Sequence, residues 1–190
     1  MRVLSIDASS HTGWAIIEND LLISYGKIDV PCKDHSWPLG ILNWAKDISD
    51  KIFNLISTTA CDKIIIERAN SSKFRDSQNV LDWMHFDLIN TLVDEGYYSK
   101  LLYVDSSHWR KVCDLKLNKD QKKQNKMARA AAKKMEILKI DGKRKGKVTK
   151  KHLAVNWVND KFALALRIKD NDIAEAICLG SSFFIEQNAK

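Results

Sequence analysis

Lys63–Glu67 (KIIIE) is the stretch that most restricts what this chain can become. It is short, β-branched and continuously apolar between its ends, which is the pattern of a strand covered on both faces. A strand of that kind needs a layer above and a layer below, so a purely helical fold is excluded. Three more runs crowd into the first 28 residues. Val3, Leu4 and Ile6 lead to Asp7, Gly13–Glu18 follows a turn-rich SSHT, and Leu21–Lys27 follows the Asn19-Asp20 turn. A hairpin is the simplest connection between runs so closely spaced. Leu101–Val104 is expected as another buried strand, ending at Asp105.

Between the strands the apolar spacing changes to steps of three and four, the signature of helices with one buried stripe. Ile41, Ala45, Ile48, Ile52 and Ile56 mark the first, with Pro38 suited to its opening turn. Leu81, Met84, Leu88 and Leu92 mark a second over 77–95, stopping near Gly96. Thr149 starts another helix, and a last one runs from about Asp170 to Ile185. Its stripe (Ile173, Ala176, Ile177, Gly180, Phe184) is small enough to lie close against a sheet. In 119–138, Met127, Ala130, Ala131, Met135 and Leu138 share a stripe expected to pack on the body or on a partner subunit. The resulting order, β-β-β-α-β-α-β, a basic helical module, then α-α, predicts an α/β fold with a mixed sheet and helices on both faces. A length of 190 residues fits one domain, 1–190, with a basic insertion at about 113–148. Within it, Gly142 and Gly146 flank a KRKGK run expected to form a loop.

The net charge of +7 is unevenly placed. Residues 116–151 hold 15 Lys/Arg against three acids, a local +12, and the rest of the chain nets −5. A mildly acidic body with one intensely basic segment suits a phosphate backbone, through counterion release; a solvated helix face is the plainer alternative. No apolar run approaches the roughly 20 residues of a membrane span. Asp7 arrives too early for the apolar core of a signal peptide, so export is not expected. The four cysteines form no CxxC pair, which argues against a zinc site or a disulfide framework and for a reducing cytoplasm.

Ligands of open α/β sheets gather beyond the carboxyl ends of the strands. Asp7 and Glu67 end their strands there. Asp172 and Glu175, three residues apart at the start of the last helix, share a face. Should that helix pack against the first strand, four carboxylates converge, at a cost that only cations offset. An all-oxygen set suits Mg²⁺ or Mn²⁺, and two such ions roughly 4 Å apart hydrolyse phosphodiesters. Taken singly, Asp172 and Glu175 also read as helix N-terminal acids, and Asp7 as a turn residue. Arg110 and Lys111 are expected to contact phosphates, Trp109 to pack in the core, and His11 and His108 to hold no metal.

Four segments together resemble the RuvC-like Holliday junction resolvases, over nearly the whole chain except about 113–146: IDASSHTGWAI, KIIIERA, VDSSHWRKV and DNDIAEAICLG, in the family's order. The resemblance implies an RNase H-like fold with sheet order 3-2-1-4-5 and strand 2 antiparallel. It also implies a homodimer that nicks four-way DNA junctions symmetrically with two Mg²⁺ ions, for which Mn²⁺ can substitute. Asp7 would bridge both ions, with Glu67, Asp172 and Glu175 completing their shells; the family usually has Asp where Glu175 stands. In relatives the loop after the second motif carries a wedge aromatic, and in RANSSKFRD that is Phe74, flanked by Arg68, Lys73 and Arg75 as phosphate contacts. Lys147, Lys150 and Lys151 fall where relatives place lysines facing the cleaved strand. The long basic insertion looks more like a phage-encoded member, in a bacterial or infected-host cytoplasm. An RNA:DNA hybrid nuclease and a non-catalytic nucleic-acid-binding module remain as alternatives. A sugar-kinase-like phosphotransferase needs Gly-rich phosphate loops that seven scattered glycines do not supply.

Overall fold

The computed structural model describes residues 1–69, 75–137 and 147–189. Five strands form one sheet: β1 (Arg2–Asp7), β2 (His11–Glu18), β3 (Leu21–Asp29), β4 (Lys63–Glu67) and β5 (Leu101–Val104). Their spatial order is β3-β2-β1-β4-β5. β2 is antiparallel to both β1 and β3, while β4 runs parallel to β1 and β5 to β4. The expected order and strand directions are therefore met.

Alternation along the strands divides the core in two. Leu4, Ile6, Ile64 and Ile66 face α1 (Leu39–Thr58) and α2 (Arg75–Asp94), whose stripes Ile41-Ala45-Ile48-Ile52-Ile56 and Met84-Leu88-Leu92 are buried. Val3, Ala15, Ile17 and Ile65 face the other layer. That layer is α3 (Ser106–Val112), α5 (Lys150–Phe162) and α6 (Asn171–Asn188). Trp109 of α3 is fully buried there, as expected of a packing residue.

Two expectations need correction, and a third is narrowed. β5 is an edge strand with no further partner among the described residues, and Tyr103 is 42% exposed, because an apolar run alone does not separate a central strand from an edge. Residues 106–112 form α3, two turns too short to display a period. In α4 (Lys119–Ile137), Met127 is 65% exposed and Ala130 and Ala131 also face outward, so these three do not pack on the body, which leaves the partner subunit as the expected place for the stripe. The helix docks through buried Asn125, whose side chain donates to the Val148 carbonyl (2.7 Å) and accepts from the Val148 N–H (2.8 Å). A polar anchor leaves no trace in a hydrophobic period. Leu138 and the KRKGK run lie outside the described residues.

α6 lies across β1 and β2 at very short range. Ser5 Oγ donates to the Ala176 carbonyl at 2.8 Å. A Cβ on Gly180 would come within 2.5 Å of that same Ser5 Oγ. At Gly13 a Cβ would overlap the Asp172 carbonyl and lie 2.7 Å from Ile173 N. Since Gly13 pairs with Asp7 across the β1–β2 ladder, the missing side chain lets the first turn of α6 settle beside the end of β1. Gly13→Ala is expected to lose about 1–3 kcal/mol of stability in urea unfolding, the usual cost of overpacking, by lifting that turn off β2.

Candidate metal centre

Ile6 pairs with Ile66 in the parallel β1–β4 ladder, so Asp7 and Glu67 end adjacent strands side by side. Residues 5 and 7 of β1, and 65 and 67 of β4, point away from the α1–α2 layer and toward α6. α6 supplies Asp172 and Glu175 from its first two turns. The carboxylate oxygens of Asp7, Asp172 and Glu175 lie within 4.8 Å of one another.

Each acid but one has a local cation or donor. Trp109 Nε1 donates to Glu67 Oε2 at 2.8 Å, and Glu67 is only 5% exposed. Arg110 Nη2 sits 2.6 Å from Glu175 Oε1 and 4.0 Å from Glu67 Oε1. Asp172 lies 3.5 Å from Lys27 Nζ and 3.7 Å from Lys151 Nζ. Among the described residues, Asp7 is the acid left over. Burial first, then the fields of Glu67, Glu175 and Asp172, push its pKa well above 3.8, against a smaller opposing pull from Lys151. Lys27 is held above its ordinary value: burial pulls it down, but bonding to Asp29 and the field of Asp172 outweigh that.

An all-carboxylate set crowded enough to suppress ionisation of Asp7 fits a hard divalent cation. The fit rests on Asp7, Asp172 and Glu175 for the close trio and on Glu67 beside them.

No protein-family model matches the sequence, and no curated protein matches it. The fold does have solved counterparts. Thermus thermophilus RuvC in complex with a Holliday junction substrate aligns with a TM-score of 0.62 at 9% identity, over 100% of this chain and 96% of that one. A second Thermus thermophilus RuvC structure gives 0.61 at 10% identity, over 100% and 97%. The yeast mitochondrial Holliday junction resolvase Ydc2 gives 0.52 at 11%, over 98% and 80%. The chain has the RNase H-like fold of RuvC. The expected family resemblance is thus met in the fold.

In this RuvC-like frame the expected site residues fall into groups. The four acids come together at one end of the sheet. Lys151 reaches Asp172, and Lys150 and Lys111 line a cavity next to Arg110. Arg68 is largely exposed, 3.8 Å from Asp105, and Arg75 is exposed at the start of α2. Lys147 is half-buried ahead of α5. Lys73 and Phe74 lie outside the described residues. Arg110, expected on phosphates, is turned inward onto Glu175. His11 pairs with Asp29, which shares Lys27 with Asp172, and His108 pairs with Glu186; the trio itself is made of carboxylates.

Two contributors escaped the sequence. Lys27 reaches Asp172 because β3 sets it opposite Gly13, a register that spacing does not reveal. Trp109 is a core residue that also donates to Glu67.

The raised pKa of Asp7 has a stability consequence. Between 3.8 and its higher native value the unfolded chain binds fewer protons at this group, so stability falls as pH rises through that window. In EDTA at about pH 8, Asp7→Asn is expected to raise the thermal midpoint, by roughly 2–4 °C per kcal/mol of repulsion relieved. Below the unfolded pKa the two proteins should melt alike. Melting curves across pH check both halves.

Proposed function

We propose that the protein is a divalent-metal-dependent endonuclease that resolves branched DNA, above all four-way junctions, by paired symmetric nicks. The observation that carries this is the convergence of Asp7, Asp172 and Glu175, with Glu67 adjoining, at the strand ends of a RuvC-like sheet beside a lysine-lined cavity.

The four carboxylates would hold two Mg²⁺ ions, or Mn²⁺ in their place. Mg²⁺ bound there supplies the Lewis acidity that activates water and stabilises the leaving oxygen of a phosphodiester. The chain's own groups do the rest. Lys27 and Lys151 fix Asp172 from two sides, and Trp109 fixes Glu67, so neither acid has to be reoriented. Thr149 caps α5, its hydroxyl accepting from the His152 N–H, which sets Lys150 and Lys151 on the first turn facing the acids and the cavity. Lys111, Lys147, Arg68 and Arg75 extend the positive surface along which a phosphate backbone is drawn. Lys73 and Phe74 complete the proposed DNA-contacting set.

Symmetric cutting needs two centres related by a two-fold axis, as a homodimer provides. The outer face of α2 suits that role, carrying Phe86 (70% exposed) and Val93 seven residues on. The basic 113–148 segment would add backbone contacts. Four free thiols and the absence, among described residues, of any helix fit to cross a membrane are compatible with a cytoplasmic enzyme.

The test presents labelled four-way junction, linear duplex and RNA:DNA hybrid to the protein with Mg²⁺. Paired nicks confined to the junction are expected, with cleavage reduced more than about 100-fold in Asp7→Asn, beyond the usual loss for a residue that merely supports a ligand. Junction binding should persist in that variant, since removing a carboxylate lowers repulsion toward DNA. Hybrid degradation would instead favour the RNase H-type activity, and binding without cutting a non-catalytic module.

A further inference from the structure

Arg110 stands between the acidic cluster and a lysine-lined cavity. On its inner side the guanidinium reaches Glu175 (2.6 Å) and, more loosely, Glu67 (4.0 Å). It stacks over the Trp109 ring, 4.5 Å from the centroid. Yet its Nε is buried with no hydrogen-bond partner, so the inner position leaves a donor unspent. On its outer side Arg110 forms one wall of a cavity of about 340 Å³. Lys111, Lys116, Lys122 and Lys150 line the same cavity over an apolar floor that includes Leu115. Among the described ion pairs only Lys116 has an acidic neighbour, Asp114 at 3.3 Å. Four lysines gathered with so little counter-charge repel one another, which a bound anion would relieve.

We propose that Arg110 is a two-position cation that couples the metal centre to the DNA strand. Resting on the assignment of the acids as metal ligands, the proposal adds how that centre is regulated. Without metal, Arg110 supplies the positive charge that keeps Glu175 and Glu67 in place beside Asp7. A divalent ion on the carboxylates competes for the same Glu175 oxygen that Arg110 holds. Released, the guanidinium turns outward to the lysine-lined cavity and there binds a phosphodiester group of the strand with Lys111, Lys122 and Lys150. Arg110 is a positioning residue in this scheme. Its cost is a metal affinity lowered in the free protein; its return is a linkage in which metal tightens DNA and DNA tightens metal by the same factor.

The linkage is measurable without turnover. Mn²⁺ uptake is followed by electron paramagnetic resonance on the DNA-free protein, and junction binding is measured in EDTA and in Ca²⁺. Arg110→Met, which keeps the length and removes the charge, is expected to bind Mn²⁺ about 10-fold more tightly than wild type, in the range that ligand-supporting residues command. The gain in junction affinity that Ca²⁺ gives the wild type should shrink to less than about 2-fold, against the 5-fold or more typical of coupled sites. Lys122→Ala should keep wild-type Mn²⁺ affinity and lose part of the Ca²⁺-dependent gain in junction affinity. If Arg110→Met does not fold, Arg110→Lys replaces it, with Mn²⁺ affinity raised less.

Equal or weaker Mn²⁺ binding by a folded Arg110 variant, or an undiminished Ca²⁺ effect, overturns the coupling and leaves the metal centre standing. Asp7→Asn that binds Mn²⁺ as well as wild type overturns the metal centre itself, and the coupling with it.

Discussion

Repulsion among carboxylates is the constraint around which this molecule is arranged. Hydrophobic burial fixes α6 against β1 and β2 through Ala174, Ala176, Ile177 and Phe184, all buried. That same packing forces Asp172 and Glu175 up to Asp7, so the apolar core does work against the charges. The contact is made closer still by two glycines and a serine, Gly13, Gly180 and Ser5, at positions where a larger residue would hold helix and sheet apart. A fold under stability alone would put small apolar residues at 7 and 175; the acids there lower stability, and cations stand next to Asp7's neighbours, Arg110 on Glu175 and Lys27 with Lys151 on Asp172. Arg110, Lys27 and Lys151 are as much a part of the sheet's end as the strands that position it.

Much of the fold was legible because its signals are local and redundant. The KIIIE run could only be a doubly covered strand, and β4 occupies those five residues. The α1 stripe of steps three and four is buried at every position, since a 20-residue helix repeats its period often enough to be unmistakable. What failed was the part that depends on neighbours. An apolar tetrapeptide looks the same at the centre of a sheet and at its edge, and β5 is at the edge. In α4 the helical period was legible but not which of the two expected surfaces it serves: Met127, Ala130 and Ala131 face outward, and Asn125 holds the helix to the body.

The site divides along the same line. Asp7 and Glu67 could be found from strand ends, and Asp172 with Glu175 from a shared helical face, because each pair follows from one element's own geometry. Their mutual approach depends on the depth at which α6 rests on β1 and β2; the small α6 stripe with Gly180 gave notice of that depth, but the part played by Gly13 was not legible. Lys27 lies even further from view, needing the β2–β3 register and the α6 position together. For Arg110 its exposure was the missing fact: a basic residue in a Trp-Arg-Lys run gives no sign of whether it points into the cluster or out of it.

The positive charge that balances the acids is confined to their own side of the sheet. On the opposite face His85 packs beneath the β1–β5 ends, bonded to the Tyr103 hydroxyl at 2.5 Å. Burial, only partly offset by the Ala8 backbone and by Asp82, drives its pKa down to about 4, so it is neutral at neutral pH and lends the acids nothing through the strands. Charge compensation therefore falls to groups that approach from the α6 side and from β3, and their reach matters. Glu175 meets Arg110 at 2.6 Å; an Asp at 175, shorter by one carbon–carbon bond of about 1.5 Å, would fall back from the guanidinium unless the α3 backbone followed. The glutamate at 175 is thus matched to a longer-range partner: its extra methylene, relative to aspartate, carries the carboxylate to the arginine, and the arginine's buried, half-satisfied fork makes that partnership one that can be given up.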